Sequence, residues 1–152
     1  MVMDIEMHEI ATVKSSVTVL VDEGWGNVVS AITLAPEYSG ALTGLGEFSH
    51  AIIVYYMHRA TYDTDKHVIR RPQEREDMPE VGMFAQRARH RPNPIGVTAV
   101  EIVSVDGDTL VVRGLDAVDG TPVLDIKPYY PIYDKKLGST PEWVDRLMSH
   151  YF

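Results

Sequence analysis

Gly82-Met83-Phe84-Ala85-Gln86-Arg87-Ala88-Arg89-His90-Arg91-Pro92-Asn93-Pro94-Ile95-Gly96 is one of two dense blocks in this chain. The other is Gly114-Leu115-Asp116-Ala117-Val118-Asp119-Gly120-Thr121-Pro122-Val123-Leu124-Asp125-Ile126-Lys127-Pro128-Tyr129. In the first, Arg87, Arg89 and Arg91 alternate with other residues just before a Pro-Asn-Pro turn. An extended segment places such a set on one face, where like charges repel unless an anion or a carboxylate sits opposite. The second block gathers acids and glycines at turns. A basic loop and an acidic loop, both ending strands, read as two walls of one site. The alternative is a solvated edge strand with ordinary turn-forming acids.

The bulk of the sequence narrows the class. With 152 residues, 45% of them hydrophobic, the chain reads as one domain over 1–152 with its own core. It contains no Cys, which removes disulfides and thiolate metal sites. The six histidines (His8, His50, His58, His67, His90 and His150) are not at ligand spacing with a carboxylate, so no metal is expected. No basic leader and no apolar run of membrane-spanning length is present, which predicts a soluble cytoplasmic protein. The net charge of −8 argues against a general nucleic-acid binder. The charge is uneven, however: seven basic residues stand against four acids between Lys66 and Arg91. A focused basic patch on an acidic body suits a partner that is anionic in one place.

Along the chain, strands are predicted over 5–14, 17–21, 28–34, 48–57, 81–85, 94–105, 109–115 and 123–126. Phe48–Met57 is apolar on both faces and should lie centrally. Asp106-Gly107-Asp108 reads as a hairpin turn. Pro36-Glu37 opens a short helix, and Thr140-Pro141-Glu142 starts a C-terminal helix within 139–152 that pairs Trp143 with Leu147 and Val144 with Met148. Residues 59–80 are polar and charged and read as a long mobile loop. Many closely spaced strands and two short peripheral helices define a mainly β protein with a closed or nearly closed sheet.

The two blocks, together with Gly44-Leu45-Gly46-Glu47-Phe48-Ser49-His50, resemble the signature of the S-adenosylmethionine-dependent tRNA threonylcarbamoyladenosine N6-methyltransferases. The likeness runs from about Ile5 to Asp134. It implies a single-sheet, antiparallel-rich β-barrel, S-adenosyl-L-methionine as cofactor, methylation beside a tRNA anticodon, and a homodimer with the site near the subunit boundary. The arginine of the Phe-Ala-x-Arg phrase, here Arg87, lines the cofactor site in that family. Guanidinium chemistry also suits it to a carboxylate or a flat ring. His58, Arg59, Val97, Arg113, Gly114, Leu115 and Asp116 stand at the family's other cofactor-contacting places. The family's Pro-Arg-Gln phrase before the third strand is absent, and Val19–Asn27 stands there, with Trp25 available to stack or to fill a packing gap.

No glycine-rich dinucleotide loop follows a strand, so the doubly wound cofactor fold has no support. For the acceptor, Arg70, Arg71, Arg89, Arg91 and Lys127 are candidates to meet phosphates. Tyr129, Tyr130 and Tyr133 are candidates to stack a base or to pack the sheet edge. Asp119, Asp125 and His90 are each able to take a proton, and none is assigned as the base. Two other readings stand beside the tRNA enzyme. One is a methyltransferase of the same fold acting on a small molecule or another RNA; the other is a cofactor-binding module without catalysis.

Overall fold

Alternation of apolar and polar side chains, with β-branched residues at the inward positions, makes most of the long runs strands. The computed structural model describes residues 2–152. Eight strands form: β1 (Ala11–Lys14), β2 (Val29–Leu34), β3 (His50–Tyr56), β4 (Ile69–Arg70), β5 (Val81–Gly82), β6 (Ile95–Asp106), β7 (Thr109–Arg113) and β8 (Pro122–Pro128). Six of them close an antiparallel barrel in the order β1-β2-β7-β6-β3-β8, and β4 pairs with β5 as a separate ribbon. Three short helices lie outside it: α1 (Thr64–His67), α2 (Pro131–Asp134) and α3 (Glu142–Met148).

β3 pairs with β6 on one side and β8 on the other; the sheet closes on itself, so each of its strands has two neighbours and none is more central than the rest. The inward residues Ala51, Ile53 and Tyr55 of β3 are buried while His50 and Tyr56 face out. They meet Val13, Ile32, Val100, Leu110, Val112 and Val123 in one core, closed by Leu42, Leu45, Leu115 and Ala117 from the connecting segments. Burying side chains of this size contributes roughly 1.5–3 kcal/mol each. The β6–β7 hairpin turns through Gly107 and Asp108, and Gly107 takes the left-handed φ of +58° that such a tight turn requires.

Several boundaries differ from expectation. Val17–Val21 is not a strand. β1 already has β2 on one edge and β8 on the other, so no edge is left for it. The segment instead arches over the barrel end, leaving Val19, Leu20 and Val21 exposed. The first strand is confined to Ala11–Lys14, because, of residues 5–10, it is Ile10 that bonds to the sheet backbone, its N–H donating to the Val123 carbonyl at 2.8 Å and its carbonyl accepting from the Ala35 N–H at 2.9 Å. The helix expected after Pro36 is a single tight turn, Pro36–Tyr38. Within 59–80 the chain forms α1 and β4 and buries Pro72 and Met78. β5 stops at Gly82, where Met83–Ala85 coils into a turn, so Arg87, Arg89 and Arg91 lie on irregular chain rather than on a strand. No helix among the described residues is long and apolar enough to cross a membrane.

Candidate functional site

Where β3 ends and β6 begins, the barrel opens into a cavity of about 630 Å³. Its walls come from the Leu20–Asp22 arch, the end of β3, the Arg70–Glu74 and Gln86–Arg91 loops, the start of β6, the Asp116–Val118 segment and the tail after α3. A volume of this order suits a nucleoside-sized ligand.

Asp116 reaches the cavity through the turn that ends β7. Gly114 adopts φ +90° there and its N–H bonds to the Val28 carbonyl at 2.9 Å. Leu115 then drops into the core with no exposure, and Asp116, next along, faces the cavity. Three hydroxyls donate to its carboxylate. Tyr55 Oη lies 2.9 Å from Oδ1, Thr98 Oγ1 bonds to the same oxygen, and Tyr151 Oη lies 2.5 Å from Oδ2. Burial, and then the neighbouring Asp116, push both phenols well above the ordinary tyrosine range.

The Pro-Ile-Gly phrase has a steric reason. Gly96 pairs with Tyr55 across β3 and β6, and the Tyr55 ring lies on it. A Cβ at Gly96 would fall 2.3 Å from Tyr55 Cζ and 2.4 Å from Cε2. Only glycine lets the ring lie flat enough for its hydroxyl to reach Asp116.

The other wall is basic, but its three alternating arginines part company. Arg87 donates to the Val97 carbonyl at 2.9 Å, and its charge, like that of Asp116, is felt by the Tyr55 phenol. Arg89 pairs with Asp22 at 3.0 Å, supplying the opposed carboxylate that the spacing demanded. Arg91 spends its Nη1 on the carbonyls of Met83, Gln86 and Ala88 and so braces its own loop. Arg59 donates to the Thr18 carbonyl and ties the arch to the end of β3. Trp25 is buried, with its indole N–H on the Val21 carbonyl at 3.2 Å, and so acts chiefly as a packing plug beneath the arch. His90 stacks on His67 with ring centres 4.7 Å apart, and burial pushes its imidazole below the ordinary value.

Of the residues singled out from the sequence, Trp25, His58, Arg59, Arg70, Arg87, Arg89, His90, Arg91, Val97 and Asp116 line this cavity. Several others do not. Arg113 pairs with Glu101 at 3.0 Å on the barrel exterior, Gly114 forms the turn, and Leu115 belongs to the core. Arg71 donates to the Met78 carbonyl, bracing its loop. Lys127 pairs with Asp125 at 2.6 Å and lies opposite Ile52, and Tyr129 packs edge-on against His50, toward the other end of the barrel. Tyr55, Thr98 and Tyr151 escaped the sequence reading. Thr98 follows Gly96 by two positions, a hint that both share a face; Tyr151 carries no such signal.

The fold and site define the class: a closed antiparallel β-barrel with a cavity at its mouth, guanidinium groups on one side and a hydroxyl-held carboxylate on the other. The chain belongs to the tRNA-methyltransferase O N-terminal domain family, whose model matches residues 22–135. It is 38% identical over 120 residues to a probable S-adenosyl-L-methionine-binding protein of Pyrococcus abyssi, covering 79% of this chain and 62% of that one. Over 99 residues it is 40% identical to the human tRNA (adenine(37)-N6)-methyltransferase, covering 65% of this chain and 22% of the relative. The crystal structure of TrmO from Pseudomonas aeruginosa superposes with a TM-score of 0.74 at 28% identity, over 94% of this chain and 64% of that one. The chain thus spans less than two thirds of each of these three proteins.

Proposed function

We propose that this protein is an S-adenosyl-L-methionine-dependent methyltransferase that methylates N6 of threonylcarbamoyladenosine next to a tRNA anticodon. The observation that carries the reading is the meeting of Arg87 and Asp116 at one cavity, with Arg70 and Arg89 beside them. The names of the archaeal and human relatives support the cofactor and the tRNA acceptor in turn.

Two residues of the cavity suit the cofactor's charged ends. Arg87 is the counter-charge for the methionine carboxylate, since a guanidinium binds carboxylate in a fork. Asp116 accepts from the cofactor's ammonium or ribose hydroxyls, held in place by Tyr55 and Thr98. Met57, Ile95, Val97 and Ala99 give one stretch of the wall that is poor in polar groups. When bound, the cofactor supplies an activated methyl on a sulfonium, so the protein's task is alignment and the removal of one proton. Of Asp119, Asp125 and His90, it is His90 that lines the cavity; Asp119 caps the Ser15 N–H and Asp125 pairs with Lys127. Burial lowers the His90 pKa, which favours the neutral imidazole over the charged form.

The enzyme acts as a cytoplasmic homodimer on this reading. The partly buried Trp143, Val144 and Leu147 of α3 take up part of that helix's apolar face, while α2 offers Ile132 and Tyr133, both exposed, as a surface for a second copy. Sedimentation at micromolar concentration giving only monomer would remove the dimer. The activity is tested by incubating the protein with methyl-labelled cofactor and tRNA from a strain lacking the modification. Label in the modified adenosine is the expected result, and label-free tRNA alongside tight cofactor binding would overturn the acceptor assignment.

A further inference from the structure

We propose that Arg70 binds an anionic oxygen group carried by the methyl acceptor itself, a carboxylate or a phosphate, and so selects acceptors that are charged close to the reacting nitrogen. This rests on the methyltransferase reading and adds to it a residue that chooses the substrate.

The charge balance of the cavity points this way. Arg59, Arg70, Arg87, Arg89 and Arg91 line it, against Asp22, Glu74 and Asp116. The cofactor brings a sulfonium and an ammonium against a single carboxylate, so it adds positive charge to a site already in surplus. Neutralising the arginine wall therefore falls to the acceptor.

Among the five guanidiniums, Arg70 is the one left without a proper partner. Arg59, Arg87 and Arg91 donate to backbone carbonyls, and Arg89 has Asp22. Arg70 Nη1 is buried and meets no acceptor, and its side chain is only 14% exposed. Its Nη2 has Glu74 Oε1 alone, at a long 3.4 Å, from a side chain that is 82% exposed. Buried guanidinium N–H groups without acceptors are costly and rare, and they mark places where a partner arrives later.

The backbone around it is built to the same end. The Arg70 backbone is fixed by its pairing with Val81 and by the Gln86 side-chain amide donating to its carbonyl at 3.0 Å, so the residue's place at the cavity wall is set before any ligand enters. Opposite, Gln73 and Glu74 both adopt left-handed backbone, φ 52° and 57°, which non-glycine residues avoid. Strain of this kind concentrates at ligand-binding turns. It holds the Glu74 carboxylate over Arg70 as a weak stand-in for the acceptor's anion, to be displaced when the acceptor binds.

The test measures equilibrium acceptor binding to the full chain, alongside cofactor binding by calorimetry. Modified nucleosides bearing a free carboxylate, the neutral amide of that carboxylate, and a 5′-phosphate serve as probes. Arg70→Gln is expected to weaken the charged acceptor at least tenfold while cofactor affinity stays within twofold, and Arg70→Lys to recover part of the loss. A wild-type protein that discriminates acid from amide identifies the carboxylate as the group; one that discriminates only by the phosphate identifies the phosphate. Unchanged acceptor affinity in Arg70→Gln, or an equal loss of cofactor affinity, overturns the proposal. Should Arg70→Gln fail to fold, Arg70→Lys and the acid-against-amide comparison on the wild type decide the matter. Absence of methyl transfer by the wild type would count against the activity, and leaves this binding result to be read independently.

Discussion

Adding one methyl group at Gly96 should damage both the fold and the site, by an amount the geometry sets. The new Cβ would lie 2.3 Å, 2.4 Å and 2.8 Å from three atoms of the Tyr55 ring, so the ring must move by about an ångström to regain van der Waals contact. That movement carries Oη away from Asp116 Oδ1, now 2.9 Å distant. Overpacking of this kind costs about 1–3 kcal/mol, and a lost hydrogen bond to a charged group about 1.5–3 kcal/mol. Together these predict a loss of about 2.5–6 kcal/mol, or a fall in Tm of roughly 5–24 °C for a domain of this size. Urea melts of wild type, Gly96→Ala, Tyr55→Leu and the double variant measure it. Once the ring is gone the methyl group has room, so the double variant should be less destabilised than the sum of its parts by at least about 1 kcal/mol. A Gly96→Ala protein within about 0.5 kcal/mol of wild type, or strict additivity in the cycle, would refute the claim that Gly96 exists to seat Tyr55.

Three further outcomes follow from the cavity. Arg87→Ala should weaken S-adenosyl-L-methionine at least about tenfold by calorimetry, the worth of a single charge-assisted contact, and leave the melting temperature within a few degrees, because Arg87 is exposed. Tyr55 and Tyr151 have phenols held above their unfolded value, so the folded state keeps protons that the unfolded chain has lost. Stability is therefore intact below about pH 10 and declines as pH rises beyond it, by up to about 1.4 kcal/mol per pH unit for each tyrosine. Tyr151→Phe should flatten that decline in urea midpoints measured from pH 9 upward. His90 has the opposite sense: its folded pKa lies below the unfolded value, so stability is present above about pH 6.5 and is lost as pH falls, and His90→Gln should reduce the slope of the acid limb.

How far the sequence was legible depended on whether its signals were local. The Gly107 turn and the strands on either side of it announce themselves through neighbours in the chain, and the structure forms them as read. Val17–Val21 has every local mark of a strand, yet strand formation needs a free edge, and the closing of β1 on β8 removes it. The arginine spacing called for an anion or a carboxylate opposite all three; Asp22 supplies one for Arg89 alone, and that Arg91 turns back to brace its own loop depends on a coil no spacing rule describes. Asp116 could be placed at the site through its phrase, but the hydroxyls that hold it lie 61, 18 and 35 residues away in the chain. Such distant meetings are set by register, which the barrel decides as a whole. The same holds for Lys127 and Tyr129, whose chemistry suits an acceptor but whose strand carries them toward the other end.

The pairing of Ala11 with Val123 has a consequence for synthesis. β1 finds its second neighbour only after more than a hundred further residues have been made, so the cylinder stays an open sheet until β8 emerges. Until then both raw margins of that sheet invite pairing with other chains.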